Sequence, residues 1–311
     1  MRALAYLHYD VFTSEALLGN QLAVFTDARG LDAGSMQKIT REMNFAESTF
    51  ILPVEQSGTD IRMRIFAPDV EMPIAGHPTI GSTFALAEMG VIEPGTTRFV
   101  FGLNVGPVPV DLEWADSRLR FVWMTQMPPE FGLIVEDRGA AAAALGVRPQ
   151  DLWADLPVQQ VSCGLPFLFV PLRDPDAVDR AMPNTSACRK LAAANGRPLP
   201  LFVFAPVAGA ARDDSFVVHS RMFAPDFGIT EDPATGIASG PLGCYLVHHR
   251  VVPAGAPARI ESRQGVAMGR ASRIAIAITG PPEEITEVKV GGEAVLVGKG
   301  ELFLAQSSGR V

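Results

Sequence analysis

The sequence is poor in cysteine, with only Cys163, Cys188 and Cys244 in 311 residues. An odd number without paired short spacing argues against a disulfide framework and against a cysteine-type zinc site. No apolar run approaches the roughly 18 residues that a membrane-spanning helix needs. The first twelve residues mix charged and apolar types in alternation, which predicts a first strand and not a signal peptide. A cytoplasmic location without a membrane partner is therefore the default expectation.

Clustered positive charge is also missing. Twenty-six Lys and Arg residues stand against 34 Asp and Glu residues, which gives a formal net charge of −8. Nucleic-acid binding requires clustered cations, so no nucleic-acid partner is expected. Hydrophobic residues make up 48 % of the chain and charged residues 19 %, a composition that can bury a large core. The length fits two domains of about 150 residues each.

Several motifs of known chemistry are absent. No G-x-G-x-x-G opens a predicted helix, and residues 292–299 are one residue too long for a P-loop and lie in a predicted hairpin. Residues 236–240 lack the G-x-S-x-G spacing of a nucleophile elbow. The adjacent His248 and His249 would point about 100° apart on a helix, which makes a poor metal pair. Phosphoryl transfer, hydride transfer and serine hydrolysis lose support, and no metal site is expected.

The chain contains two copies of one sequence unit. The first copy is R-I-F-A-P-D at 64–69, followed by A-G-H-P at 75–78 and an apolar run from 79 to 89. The second is R-M-F-A-P-D at 221–226, followed by E-D-P-A-T-G at 231–236 and an apolar run to 247. Each copy predicts a strand, a loop and a buried helix. Because a helix opening has unpaired N–H groups and a partial positive charge, two openings facing one cleft would suit a small carboxylate.

The second half of the chain is predicted to contain the same kinds of element as the first, arranged around these two helices. In the first half, a helix over 31–43 has Asp32 available as its cap, and Pro109 predicts an edge position for the strand that contains it. Each half is expected to curl a sheet around its apolar helix. The Met127-Pro128-Pro129 segment is the expected link, which divides the chain into domains 1–127 and 128–311, allowing for the last strands to return toward the first domain.

Three titratable residues are candidates for chemistry. Glu47 lies where a predicted helix passes to a strand, and alone it would be read as solvated or capping. His77 before Pro78 and Asp232 before Pro233 have an ordinary explanation as helix caps. Their joint occurrence at two duplicated helix openings favours a site instead, since clefts between domains commonly hold small molecules.

Four motifs together resemble a known family. They are D-V-F-T at 10–13 with G-N at 19–20, N-F-A-E-S-T-F at 44–50, R-I-F-A-P at 64–68 with A-G-H-P-T at 75–79, and E-D-P-A-T-G at 231–236. In this order they resemble the phenazine-biosynthesis isomerase (PhzF-like) family of the diaminopimelate-epimerase-like superfamily. The resemblance implies an α+β fold of two pseudo-twofold-related domains, each a mainly antiparallel β-barrel around a central helix. It also implies a homodimer, an active site between the domains and chemistry without a cofactor.

The resemblance also assigns roles to single residues. In the best characterised members a Glu moves a proton between carbons of dihydro-hydroxyanthranilate, and its match here is Glu47. The family's active-site His and Asp match His77 and Asp232. Backbone amides that hold the substrate carboxylate match those of Gly76, Gly236 and Ile237.

Two departures bear on the activity. Ile237 replaces a substrate-contacting Ser of the phenazine enzyme, which removes a hydrogen bond typically worth about 0.5 to 1.5 kcal/mol and counts against dihydro-hydroxyanthranilate as the substrate. Related epimerases use two facing cysteines, and neither helix opening has one here, which argues against two-thiol racemisation. We therefore expect an isomerase of a small carboxylated metabolite. The alternative is a catalytically idle member of the same fold that binds a metabolite or another protein.

Overall fold

The computed structural model describes residues 2–208, 215–254 and 257–304. These residues divide into two compact units. The first unit comprises the chain up to Met124 together with the residues from Gly292 onward, and the second comprises Thr125–Gly291. The domain boundary expected after residue 127 stays a prediction.

Strands predominate in the described residues. In chain order they are β1 (Arg2–Val11), β2 (Asn20–Phe25), β3 (Glu47–Leu52), β4 (Ile61–Phe66), β5 (Glu71–Met72), β6 (Arg98–Leu103), β7 (Gly106–Ala115), β8 (Arg118–Thr125), β9 (Glu130–Ile134), β10 (Gln159–Ser162), β11 (Pro166–Pro171), β12 (Leu201–Pro206), β13 (Phe216–Ala224), β14 (Ile229–Asp232), β15 (Ala258–Gln264), β16 (Ser272–Thr279), β17 (Glu287–Gly292) and β18 (Ala294–Leu304). The α-helices are α1 (Ala33–Met43), α2 (Gly76–Glu88), α3 (Arg138–Ala144), α4 (Pro175–Arg180), α5 (Thr185–Ala194) and α6 (Gly236–His248).

The strands of the first unit pair in the order β18, β1, β2, β3, β4, β6, β7 and β8. Among the strand pairings of this unit that the structure describes, only β2 with β3 and β4 with β6 run parallel. The short strand β5 forms a hairpin with β4. The first unit is therefore a mainly antiparallel sheet with two parallel pairings.

The second unit repeats this pattern. Its strands pair in the order β9, β10, β11, β12, β13, β15, β16 and β17, with β14 forming a hairpin on β13. Within residues 125–208, 215–254 and 257–291, only β11 with β12 and β13 with β15 run parallel. The parallel pairings thus fall at the same places in both units. The predicted α+β class with two similar halves is confirmed.

One very apolar helix lies at the centre of each unit. Eleven residues of α2 and twelve of α6 are buried, in helices of 13 residues each. Helix α6 contacts β10 and β11 near one end of the strand order and β15 and β16 near the other. A single helix can contact both ends of a strand order only if the sheet curls around it.

Glycines let the central helices approach their strands closely. A Cβ atom at Gly81 in α2 would lie 2.6 Å from Leu22 Cδ2 and 2.7 Å from Val11 Cγ2. In α6, a Cβ atom at Gly243 would lie 2.6 Å from Ile276 Cγ2. These separations are too short for carbon atoms, so the helix packing depends on the absence of a side chain at both positions.

The edge position expected from Pro109 is wrong, because β7 lies between β6 and β8. Pro109 is opposite Val100 of β6. The Val100 N–H donates to Asp60 Oδ2 and its carbonyl accepts from the Asp60 N–H. Val100 therefore needs no hydrogen bond from residue 109. The pairing of β7 with β8 begins one residue later, at Val110. The missing N–H of proline costs nothing at this point of the sheet.

Candidate active site

The two central helices begin without a side-chain cap. Among the described α-helices, the others begin with a side chain that accepts a backbone N–H: Asp32 for α1, Asp137 for α3, Asp174 for α4 and Asn184 for α5. The N-cap residues of α2 and α6 are Ala75 and Thr235, and neither forms such a bond. The openings that lack a cap are thus the two predicted to hold a carboxylate.

The capping roles considered for His77 and Asp232 are wrong. Helix α2 begins at Gly76, so His77 is its second residue and Pro78 its third. Asp232 is the last residue of β14, and α6 begins four residues later at Gly236. Neither side chain therefore caps α2 or α6.

Glu47 is placed by a helix end and a strand start. Helix α1 ends at Met43, and the left-handed backbone of its C-cap residue Asn44 (φ 53°) turns the chain toward β3. Glu47 is the first residue of β3 and lies opposite Leu22 in the parallel pairing with β2. Its side chain is only 14 % exposed. The carboxyl group is therefore largely shielded from water within the first unit.

His77 contacts this carboxyl group. Its Nδ1 lies 3.3 Å from Glu47 Oε2 and 3.4 Å from Asn20 Nδ2. Burial lowers the pKa of His77 to about 3, and the Gln21 backbone opposes this shift only in part. The imidazole is neutral at neutral pH, so its 3.3 Å contact with Glu47 is not an ion pair.

This pair suits the transfer of a proton. A neutral imidazole nitrogen can donate to an ionised carboxylate when it carries the hydrogen, and it can accept from a protonated carboxyl when it does not. Both protonation states of Glu47 therefore keep a partner in His77. The His77 Nε2 atom is buried and has no hydrogen-bond partner among the described residues.

Asp232 lies in a second polar group, within the second unit. The Thr235 hydroxyl donates to Asp232 Oδ2. Gln264 Nε2 lies 2.8 Å from the Asp232 carbonyl oxygen and 2.9 Å from Thr235 Oγ1. Gln264 and Thr235 are both buried, so their hydrogen bonds to the residue that ends β14 are shielded from water.

The predicted substrate-binding residues lie at the two uncapped openings. Gly76 is the first residue of α2, and Gly236 is the first residue of α6. Ile237 follows Gly236 and is 8 % exposed. It occupies the same place in its helix as His77 does in α2. The structure thus brings Glu47, His77 and Gly76 together in one unit, and Asp232, Gly236 and Ile237 in the other.

Sequence reasoning missed three polar residues of these groups. The sequence motifs include Asn20 and Thr235 but assign no contact to either, and they do not include Gln264. Asn20 contacts a side chain 57 positions away, and Gln264 contacts Thr235 from 29 positions away. The signal that could have indicated them is membership of the quoted motifs for Asn20 and Thr235, and for Gln264 a polar residue at the end of an apolar-alternating strand.

A separate cleft in the first unit has a volume of about 550 Å³. Its lining includes Arg29, Arg62 and Arg64, which pair with Asp27, Glu55 and Glu71 respectively. Because each guanidinium already has a carboxylate partner, the cleft carries little unbalanced charge. None of the six predicted site residues lines it.

Within residues 2–208, 215–254 and 257–304, no group of three His, Cys, Asp or Glu side chains is placed to hold a metal ion. In the same ranges, none of the helices has the length and apolar character needed to cross a membrane.

Comparison with known proteins decides the family. The model of the PhzC-PhzF family, described as phenazine biosynthesis-like protein, matches residues 9–300. The chain belongs to this family. An isomerase of Mesorhizobium japonicum described as uncharacterized is 36 % identical over 308 residues, which cover 98 % of this chain and 100 % of the relative. The trans-2,3-dihydro-3-hydroxyanthranilate isomerase of Pseudomonas aeruginosa is 35 % identical over 299 residues, which cover 96 % of this chain and 99 % of the relative.

Solved structures agree with this membership. A PhzF-family phenazine biosynthesis protein of Bacillus anthracis matches with a TM-score of 0.85 at 26 % identity, covering 98 % of this chain and all of that one. A probable proline racemase of Agrobacterium radiobacter matches with a TM-score of 0.64 at 12 % identity, covering 98 % of this chain and 94 % of that one. The second match concerns the fold alone. The resemblance to the PhzF family, predicted from the sequence, is confirmed.

Proposed function

We propose that this PhzF-family isomerase moves a proton between two carbons of a small carboxylated metabolite, without a cofactor, and that Glu47 is its general acid and base. The observation that carries the proposal is the shielded contact between Glu47 Oε2 and His77 Nδ1, 3.3 Å apart at the opening of α2. Relatives that are named isomerases support the reaction class.

The uncapped helix openings supply the carboxylate site. In both α2 and α6, the N-cap side chain accepts no hydrogen bond from the first N–H groups of the helix. Helix N-termini favour negative charge through these N–H groups and through the helix dipole. The amides of Gly76, Gly236 and Ile237 would hold the substrate carboxylate, which also stabilises the charge that develops when an adjacent proton leaves.

Glu47 would take that proton and return it at another carbon. His77 is neutral at the pH of the cell because burial lowers its pKa to about 3. It can therefore follow both protonation states of Glu47 without adding charge to the site. Asp232, held by Thr235 and Gln264, would orient the substrate. A homodimer and a cytoplasmic location belong to the same proposal, and light scattering of the purified protein tests the first of these.

The name of the Pseudomonas aeruginosa relative supplies the first compound to test, trans-2,3-dihydro-3-hydroxyanthranilate. Ile237 presents a buried apolar side chain at the α6 opening. It offers no hydrogen bond, a loss of about 0.5 to 1.5 kcal/mol for a substrate that needs one. We therefore expect the natural substrate to place an apolar group beside Ile237, and a panel of small unsaturated carboxylates should accompany the first compound.

The decisive variant is Glu47→Gln, which keeps the shape of the side chain and removes its proton chemistry. General acid–base catalysis contributes about 10²- to 10⁴-fold, so kcat should fall by that factor on any compound that the wild-type protein isomerises. Glu42→Gln is the matched control, because Glu42 is exposed in α1. Full turnover by Glu47→Gln contradicts the proposal. Compounds that raise the melting temperature but are never isomerised by the wild-type protein would favour the idle binding member instead.

A further inference from the structure

The polar group around Asp232 has a fixed direction of hydrogen bonding. Gln264 Oε1 accepts the Thr235 backbone N–H at 3.1 Å, and Gln264 Nε2 faces the Asp232 carbonyl oxygen. A flipped amide would place oxygen against oxygen and nitrogen against N–H. The orientation of the Gln264 amide is therefore set by two backbone groups.

This orientation fixes the hydroxyl of Thr235. Gln264 Nε2 can only donate, so Thr235 Oγ1 accepts from it. The single hydrogen of the hydroxyl then points to Asp232 Oδ2. Donors thus follow one another in one direction, from Gln264 through Thr235 to Asp232. The chain ends on an oxygen that must act as an acceptor, so it favours the ionised carboxyl group.

Burial holds this arrangement in place. Gln264 has no exposed surface and Thr235 is 6 % exposed, so water cannot substitute for a broken bond. The hydroxyl of Ser272 lies 2.8 Å from the Pro233 carbonyl oxygen and 3.0 Å from that of Gln264. This joins the end of β15 to the segment that leads into α6.

Gly265 explains how the two segments come so close. Its backbone is left-handed (φ 73°), and a Cβ atom there would lie 2.5 Å from the Pro233 carbonyl oxygen. Residues 264 and 265 can therefore pack directly beneath the Asp232–Thr235 turn. The backbone geometry at Gly265 therefore sets the position of Gln264. The hydrogen bonds of Gln264 in turn set the orientation of Asp232.

From these contacts we infer that Gln264 is a positioning residue, which acts through Thr235 to fix the rotation and the acceptor state of the Asp232 carboxyl group. Its relevance to turnover rests on the proposed function. The hydrogen bonds that position Gln264 are independent of that function. Nothing in the chain of donors depends on which metabolite is bound.

The experiment compares four variants with the wild-type protein. Thr235→Val removes the hydroxyl, and Thr235→Ser restores it. Gln264→Leu removes the first donor. Ser262→Ala is the matched control, since Ser262 lies two residues earlier on β15, is fully buried and bonds the Ser220 hydroxyl at 2.7 Å. It loses a buried hydrogen bond without touching Asp232.

The first measurement needs no substrate. The carboxyl carbon signal of Asp232 is recorded by carbon-13 NMR at pH 7 and assigned by its loss in Asp232→Asn. We expect it to move in Thr235→Val and in Gln264→Leu, and to keep its position in Thr235→Ser and in Ser262→Ala. A signal at the same position in all four variants would overturn the chain of donors.

The second measurement is turnover of trans-2,3-dihydro-3-hydroxyanthranilate, or of the best compound from the carboxylate panel. A hydrogen bond to a charged group is worth about 10- to 100-fold, so Thr235→Val should lose about that factor in kcat with little change in KM, and Thr235→Ser should recover most of it. A kcat for Thr235→Val equal to that of Ser262→Ala overturns the positioning role. A wild-type protein that isomerises no compound while the NMR shifts hold would overturn the proposed function and support the chain of donors.

Discussion

Replacing His77 by Asn should make the first unit less sensitive to acid. A histidine in an unfolded chain has a pKa of about 6.5, whereas burial lowers the pKa of His77 to about 3. The unfolded state therefore binds a proton more readily than the folded state. Stability from the neutral His77 is fully present above pH 6.5 and is lost as the pH falls toward 3.

The magnitude follows from the same two values. A pH of 5 is about 1.5 units below the pKa of the histidine in the unfolded chain and well above its pKa in the folded protein. Protonation of the unfolded chain at this pH lowers the unfolding free energy of the wild-type protein by about 2 kcal/mol. His77→Asn has no group that titrates there. Between pH 8 and pH 5, the wild-type protein should lose about 2 kcal/mol more than the variant.

Tryptophan fluorescence can follow the relevant unit. The chain has three Trp residues; Trp114 and Trp123 lie in the first unit, and Trp153 lies in the second. Urea unfolding in a Trp153→Phe background therefore reports on the unit that contains His77. Equal losses of stability for the two proteins would refute the idea that His77 is buried in its neutral form.

Other predictions follow from packing and burial. Gly81→Ala should destabilise the first unit by about 1 to 3 kcal/mol in urea unfolding, because its Cβ atom would overlap Leu22 and Val11. Gly34→Ala, in helix α1 with no atom within 3.4 Å of the added carbon, should be neutral or stabilising by up to about 1 kcal/mol, and equal losses for the two variants would contradict the packing argument. The Sγ atoms of Cys163 and Cys244 lie 3.8 Å apart, and this contact together with burial raises the pKa of the Cys244 thiol well above its usual range. Iodoacetamide at pH 8 should therefore label Cys244 only after unfolding, as mass spectrometry can show, and rapid labelling of the native protein would count against the burial of this pair.

Much of the fold could be predicted from the sequence because the elements are strongly patterned. The cap of α1 is an example, since Asp32 accepts the Ser35 N–H as expected. The central helices could be recognised because they contain almost no charge. The short strands β5 and β14 were missed, because two to four residues carry no periodicity and depend on the strand beside them.

Two Asp-Pro pairs show where local reasoning fails. Asp174-Pro175 begins α4, with Asp174 accepting the Ala177 N–H, and this helix was not predicted. Asp232-Pro233 was considered a helix start, and it is not one. Its carboxyl group is instead bonded to the Thr235 hydroxyl, which Gln264 orients from 29 positions away. The same dipeptide has two outcomes because a tertiary contact competes with the local cap.

The candidate site was predicted only in part for the same reason. Glu47 and His77 could be named from motifs, but their 3.3 Å contact joins a strand start to a helix opening 30 residues away. Asn20 and Thr235 lie in motifs of the resemblance that assigned them no contact, and Gln264 lies in none of those motifs. They act through positions that only the folded chain defines.

Deuterium incorporation tests the central claim about Glu47 most directly. The wild-type protein and Glu47→Gln are each incubated in heavy water with the carboxylate that the wild type isomerises, and the product is examined by proton and carbon NMR. We predict that the wild-type protein places solvent deuterium on the carbon that receives the proton, and that Glu47→Gln places none above background. Deuterium entering at an equal rate with both proteins would show that another group moves the proton.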